Sequence, residues 1–230
     1  MSFLNSVSAL LNQHQVQKTT DTLLSGGKSI RIDCFLPLCE KQFPAVIALH
    51  GSGGMRESFS EQPARMLAAS GFAVFLFHYF ERTGTGYATE PTIRENFPAW
   101  MATISDAIAY AGSLKTVKQD RTALIGFSLG GYLALSVASR DPRIKAVIEF
   151  CGGLPDELAD ACTTMPPTLI LHGEVDNMVP VSEAHKMEEL LKRTNSAYEM
   201  KIYPGVGHFF SGLTMVDAAQ RTLTFLKKHL

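Results

Sequence analysis

The chain has 230 residues, 46% of them hydrophobic, which suffices for one buried core, and no linker-like stretch divides it. Its 21 Lys and Arg nearly balance 22 Asp and Glu, so no broad basic face recommends nucleic acid or an anionic membrane as a partner. No apolar stretch approaches the ~20 residues that span a bilayer. The opening Met1-Ser2-Phe3-Leu4-Asn5 has neither a basic n-region nor an apolar h-region, and the expected compartment is the cytoplasm. Four cysteines, at 34, 39, 151 and 162, form no CxxC pair, so free thiols are expected, and no metal site.

One domain is expected over 1–230, with 1–19 as an N-terminal extension. Extended runs at 20–24 and 29–36 flank Ser25-Gly26-Gly27-Lys28, a hairpin turn. After Pro44, apolar runs alternate with helical stretches. Strands are expected at 45–49, 72–77, 123–127, 146–150, 168–171 and 198–203, and helices at 61–70, 100–112, 129–140, 182–193 and 215–229. This order predicts an α/β fold: a mostly parallel sheet of about eight strands, an antiparallel N-terminal hairpin, and helices on both faces. Between Phe150 and Pro166 there is room for a short connection only, so no large cap domain is expected.

In such sheets a ligand sits at the carboxyl ends of the strands. Three of those ends carry candidate chemistry. Gly126-Phe127-Ser128-Leu129-Gly130 joins an apolar run to a helical one. A serine at such a reversal occupies a strained apex, and glycines two places before and after it remove side-chain collisions. Asp176 follows the next such end in Leu171-His172-Gly173-Glu174-Val175-Asp176, and His208 the last in Tyr203-Pro204-Gly205-Val206-Gly207-His208. A serine hydroxyl is a weak nucleophile without a base, and an imidazole base needs a carboxylate to fix its tautomer. Ser128, Asp176 and His208 therefore read as nucleophile, acid and base, with Glu174 the competing acid. His50-Gly51-Ser52-Gly53-Gly54 supplies bare backbone amides for an oxyanion, assigned to the N–H groups of Ser52 (with Gly53 the alternative) and Leu129.

The hairpin, HGxGG, GFSLGG, HGxxDxxVP and GxGHxF together resemble the α/β-hydrolase fold and, within it, the dienelactone hydrolase family, over nearly the whole chain from about Leu23. The resemblance implies hydrolysis of small carboxylic esters or lactones through an acyl-enzyme, without a cofactor. Two positions depart from it. The family proper carries cysteine where this chain has Ser128. It also places an arginine, implied to hold a substrate carboxylate, shortly after the catalytic histidine, where this chain has Phe209-Phe210-Ser211-Gly212. An acyltransferase or peptidase using the same acyl-enzyme stays open, as does a non-catalytic binding module.

The stretch 79–97, with Trp100, is the longest irregular segment. Met55, Tyr79, Phe127 and Phe209 are candidate pocket residues, core packing being the alternative. Arg82 and Arg94 read either as carboxylate anchors or as surface partners of Glu81, Glu90 or Glu95. His50 and His172 are read as loop supports, His78 as a packed core histidine, and Cys151 as a small buried hydrophobe.

Overall fold

The computed structural model describes residues 14–55 and 61–230. Its eight strands are β1 (Val16–Ser25), β2 (Lys28–Pro37), β3 (Phe43–Leu49), β4 (Ala73–Phe77), β5 (Val117–Phe127), β6 (Ile144–Phe150), β7 (Thr168–Gly173) and β8 (Tyr198–Tyr203). They form one sheet in the order β1-β2-β4-β3-β5-β6-β7-β8. The β1–β2 and β2–β4 pairings are antiparallel and all the others parallel. The helices are α1 (Glu61–Ala69), α2 (Glu90–Ser113), α3 (Leu129–Ala138), α4 (Asp156–Ala161), α5 (Ser182–Arg193) and α6 (Gly212–His229).

The central strands are apolar on both faces because helices cover both. Along β3, Ala45, Ile47 and Leu49 join one core cluster while Val46 and Ala48 join the other, as a period of two requires. The first cluster gathers Trp100 and Ile104 of α2, Leu133 of α3, and Met187 and Leu190 of α5. The second gathers Ala64 and Ala68 of α1 and Ala218 and Phe225 of α6. Each fully buried Ile, Leu or Phe contributes about 1.5–3 kcal/mol, so the sheet is held rigidly between two apolar layers. Its carboxyl rim is correspondingly firm. No helix among the described residues is long and apolar enough to cross a membrane.

Four differences from the sequence expectation change how the chain is divided, beyond shifts of a few residues at other element ends. β1 begins at Val16, so residues 16–19 of the expected extension belong to the sheet. Its outer half is exposed on both faces, and pairing with β2 rather than any apolar alternation makes it a strand. β5 extends back to Val117 through the polar run Lys118 to Arg121. A short α4 lies in the connection between β6 and β7. The largest difference is α2, which starts at Glu90 rather than near Trp100. Pro91 occupies its first turn, where no N–H is needed, and Pro98 is accommodated inside the helix. These prolines read as breakers in the sequence, but only residues 83–89 of the segment remain irregular.

Candidate active site

Ser128 stands between β5 and α3 at φ 54° and ψ −119°, a conformation that L-residues adopt only when their surroundings impose it. The surroundings here are backbone. A Cβ on Gly126 would lie 2.1 Å from the Gly130 carbonyl oxygen, and one on Gly130 would lie 2.1 Å from that of Leu49. Those two glycines let β5, α3 and the end of β3 cross in contact. The Ser128 N–H donates to Phe150 O at 2.8 Å, tying the apex to the neighbouring strand. Gly126→Ala is expected to lower stability by more than the ~1–3 kcal/mol usual for overpacking, because backbone and not a side-chain tip must move. Chemical denaturation checks this, and a midpoint equal to that of the parent chain would contradict it.

Asp176 and His208 lie on the loops after β7 and β8. These loops are joined by the Glu174 N–H to Tyr203 O and the Val175 N–H to Val206 O. His208 Nδ1 meets Asp176 Oδ2 at 2.7 Å, and both residues are buried, at 4% and 8% exposure. Asp176 Oδ1 accepts the N–H groups of Met178 and Val179, each at 2.9 Å. Burial pushes the Asp176 carboxyl up. The bonds from Val179, His208 and Met178 together outweigh it and hold the group below the usual carboxylate range. With Nδ1 engaged, Nε2 is the ring nitrogen left to exchange a proton. Glu174, the competing acid, is exposed and accepts the Gly205 N–H at 2.9 Å.

Two observations relate this pair to Ser128. The Phe127 and His208 rings are 5.0 Å apart, and the turn after β6 touches both halves. Phe150 O accepts the Ser128 N–H, while Cys151 Sγ donates to His208 O at 3.5 Å. The Ser128 hydroxyl itself makes no hydrogen bond among the described residues.

The loop after β3 lies beside the elbow, with Ser52 O accepting the Ala88 N–H at 2.9 Å. Leu129 opens α3, so its N–H has no partner within the helix and lies at the positive end of the helix dipole. His50 supports the loop as expected. Its Nδ1 contacts Gly51 O at 2.9 Å, its ring stacks on Tyr79 at 4.1 Å, and burial pushes its pKa down to about 4. His172 likewise props its loop, with Nε2 donating to Val179 O at 2.9 Å. Cys151 Sγ, a His172 ring nitrogen and an Asp176 oxygen lie within 4.8 Å of one another, but each residue already serves these internal bonds.

The pocket candidates divide. Met55 lines a hollow of ≈ 330 Å³ beside the loop after β3, together with Gly53, Gly54, Phe80, Thr85 and Gly86. Phe209 is 63% exposed, and its ring lies 5.6 Å from that of Phe127 and 5.1 Å from that of His208. Phe127 and Phe209 thus form an apolar shelf beside the imidazole. Tyr79 does not line a pocket: it is fully buried with Trp100, and its hydroxyl donates to His50 O at 2.7 Å, bracing the loop from below. Arg82 is engaged by the β1–β2 turn. Its guanidinium lies over the β1–β2 turn and donates to Gly26 O at 2.6 Å, in space that any Cβ on Gly26 would fill. Arg94 pairs with Glu90 on the outer face of α2, both about four-fifths exposed.

His78 is buried, but in a polar chain rather than an apolar core. Its Nε2 meets Asp33 Oδ2 at 2.8 Å and its Nδ1 meets Arg31 Nη2 at 3.0 Å, beside the hollow. Asp33 and Arg31 alternate with apolar residues on β2, and only the pairing of β2 with β4 brings them to His78. Sequence reasoning also passed over Glu149, although a lone acid ending Ala146-Val147-Ile148-Glu149 was a visible signal.

Residues 32–227 match the family model described as the dienelactone hydrolase family. A protein of Escherichia coli O157:H7 that bears the name carboxymethylenebutenolidase is 25% identical over 210 residues, covering 81% of this chain and 77% of its own length. Two solved structures are similar in fold. A dienelactone hydrolase from Anabaena variabilis superimposes with a TM-score of 0.71 at 20% identity, over 94% of this chain and 100% of its own. A dienelactone hydrolase-like promiscuous phosphotriesterase from metagenomic libraries gives 0.80 at 16% identity, over 94% and 99%.

Proposed function

The chain belongs to the dienelactone hydrolase family of the α/β-hydrolase fold, and from that premise we propose that it hydrolyses small, uncharged carboxylic esters or lactones through an acyl-enzyme on Ser128. The observation that carries this reading is the serine at a glycine-crossed elbow, with a buried His208–Asp176 pair on the same rim. His208 Nε2 takes the Ser128 proton as Oγ attacks the ester carbonyl, and the oxyanion rests on the N–H groups of Ser52 and Leu129. The imidazolium, stabilised by Asp176, gives its proton to the leaving alcohol. Water repeats the sequence on the acyl-enzyme. The Ser128 hydroxyl makes no hydrogen bond among the described residues, which leaves it available to the imidazole.

Preference for an uncharged substrate follows from the rim. Where the family places an arginine after the histidine, this chain presents Phe209 over Phe127, and Arg82 and Arg94 are engaged elsewhere. A panel of short p-nitrophenyl esters and lactones tests this, with added alcohols to detect transfer in place of hydrolysis. Neutral acyl groups are expected to be turned over fastest. Phe209→Arg is expected to raise the kcat/KM ratio of a carboxylate-bearing ester to its neutral analogue about tenfold, equivalent to about 1.4 kcal/mol. A parent chain that already favours the anionic ester would overturn the specificity while leaving the nucleophile assignment intact.

A further inference from the structure

The turn that follows β6 is held from beneath by an acid that the proposed chemistry does not use. Glu149 is fully buried, and its Oε2 accepts the Gly152 N–H at 2.7 Å. Gly152 lies against the first turn of α3: a Cβ on it would fall 2.9 Å from Gly131 Cα and 3.0 Å from Glu149 Oε2. Between them Cys151 is held at φ 50°, a left-handed conformation that a non-glycine residue keeps only under constraint. This short turn supplies the carbonyl of Phe150 to the Ser128 N–H and the thiol of Cys151 to the His208 carbonyl. It therefore touches the residues read as nucleophile and as base.

We propose that Glu149 is a positioning residue for the active site: by accepting the Gly152 N–H it fixes the turn that sets the relative placement of Ser128 and His208. The inference rests on the reading of Ser128 and His208 given above. Glu149 never meets substrate, and it acts through residues 150–153.

The form of the carboxyl matters to this role. Glu149 Oε1 has no hydrogen-bond partner among the described residues, and no cation pairs with the side chain there. The titratable groups whose ionisation senses it are Tyr132 of α3 and Cys151 of the turn, with Glu183 of α5 bonded to the Tyr132 hydroxyl at 3.4 Å. Both Tyr132 and Cys151 are pushed up, foremost by burial. Burial pushes Glu149 itself up to about 8, with the Gly152 bond opposing only in part. Burial thus favours the neutral acid, which keeps an oxygen free to accept the Gly152 N–H. As pH rises through about 8 the buried anion forms with no cation beside it, and hydrating it pulls the turn away from α3.

The test is the rate at which a fluorophosphonate phosphonylates the chain, followed by mass from about pH 6 to about 10. In that reaction Ser128 Oγ bonds phosphorus and fluoride leaves. A bare histidine base gives a rate that rises and then stays level. The parent chain is expected to lose rate above pH 8, about tenfold per pH unit, as one controlling group ionises. Glu149→Gln keeps an oxygen for the Gly152 N–H without an ionisable proton, and its rate is expected to stay level across the alkaline range. Glu149→Met has no acceptor and is expected to label at least tenfold more slowly at pH 7. An alkaline decline retained in Glu149→Gln, or a folded Glu149→Met that labels at the parent rate, would overturn the proposal. If Glu149→Met does not fold, the Glu149→Gln profile decides alone. A parent chain that never labels removes the Ser128 reading and this inference with it, an outcome distinct from unchanged variants.

Discussion

Ser128→Ala is expected to lower kcat for a short p-nitrophenyl ester by about 10⁶-fold, the loss seen when the nucleophile of a cooperating triad is removed. The residual rate would come from the oxyanion donors and from substrate placement, which the substitution leaves in position. Stability should change little. The hydroxyl makes no hydrogen bond among the described residues, and alanine carries the same backbone strain at φ 54° that serine does. The measurements are a progress curve, a thermal melt and mass spectrometry after fluorophosphonate treatment. The expected set is an unchanged melt, a vanished mass adduct and lost turnover. Retention of even a tenth of the parent rate would remove Ser128 from the mechanism.

Asp176→Asn should cost about 10⁴-fold in kcat while leaving the loop folded. An asparagine oxygen at the Oδ1 position still accepts the Met178 and Val179 N–H groups, so the amide nitrogen is directed toward His208 Nδ1. Facing a donor, Nδ1 must become the acceptor, and the imidazole proton moves to Nε2. The base is then protonated at the atom that must receive the serine proton. The pH dependence of folding separates this effect from simple damage. Because the folded-state carboxyl of Asp176 is held below its ordinary value, the anion stabilises the fold above the usual carboxylate range, and that contribution fades as pH falls through it. The asparagine variant should lose that part of the acid sensitivity while keeping a cooperative transition. Activity within tenfold of the parent chain would mean that another group orients the imidazole.

Family membership and the geometry of the rim support different parts of this reading. The match over residues 32–227 places the chain among hydrolases, and the fold is shared with structures at 16–20% identity. What the chain hydrolyses depends on side chains that such similarity does not carry over. Phe209 and Phe127 lie beside His208, and Met55 lines the hollow beside the loop after β3 together with Arg31, His78 and Glu81.

The sequence by itself determined the sheet, the order of its parallel strands along the chain, and the three rim positions of Ser128, Asp176 and His208. Those follow from local rules: apolar runs of strand length mark buried strands, glycines two places either side of a serine mark a crossing, and each rim residue follows its own strand directly. The tertiary structure alone decided the rest. β1 is a strand because β2 pairs with it, and α2 starts ten residues early, with Pro91 in its first turn and Pro98 accommodated inside it, while Trp100, Ile104 and Ala107 bury one face beyond. Arg82 and Tyr79 took partners that no local pattern marks, each a backbone carbonyl distant in sequence, and Glu149 took a turn amide three residues on. Arg82 reaches the Gly26 carbonyl, Tyr79 the His50 carbonyl and Glu149 the Gly152 amide. A polar side chain is satisfied by whatever group the fold brings within about 3 Å, and that partner is set by how the layers pack.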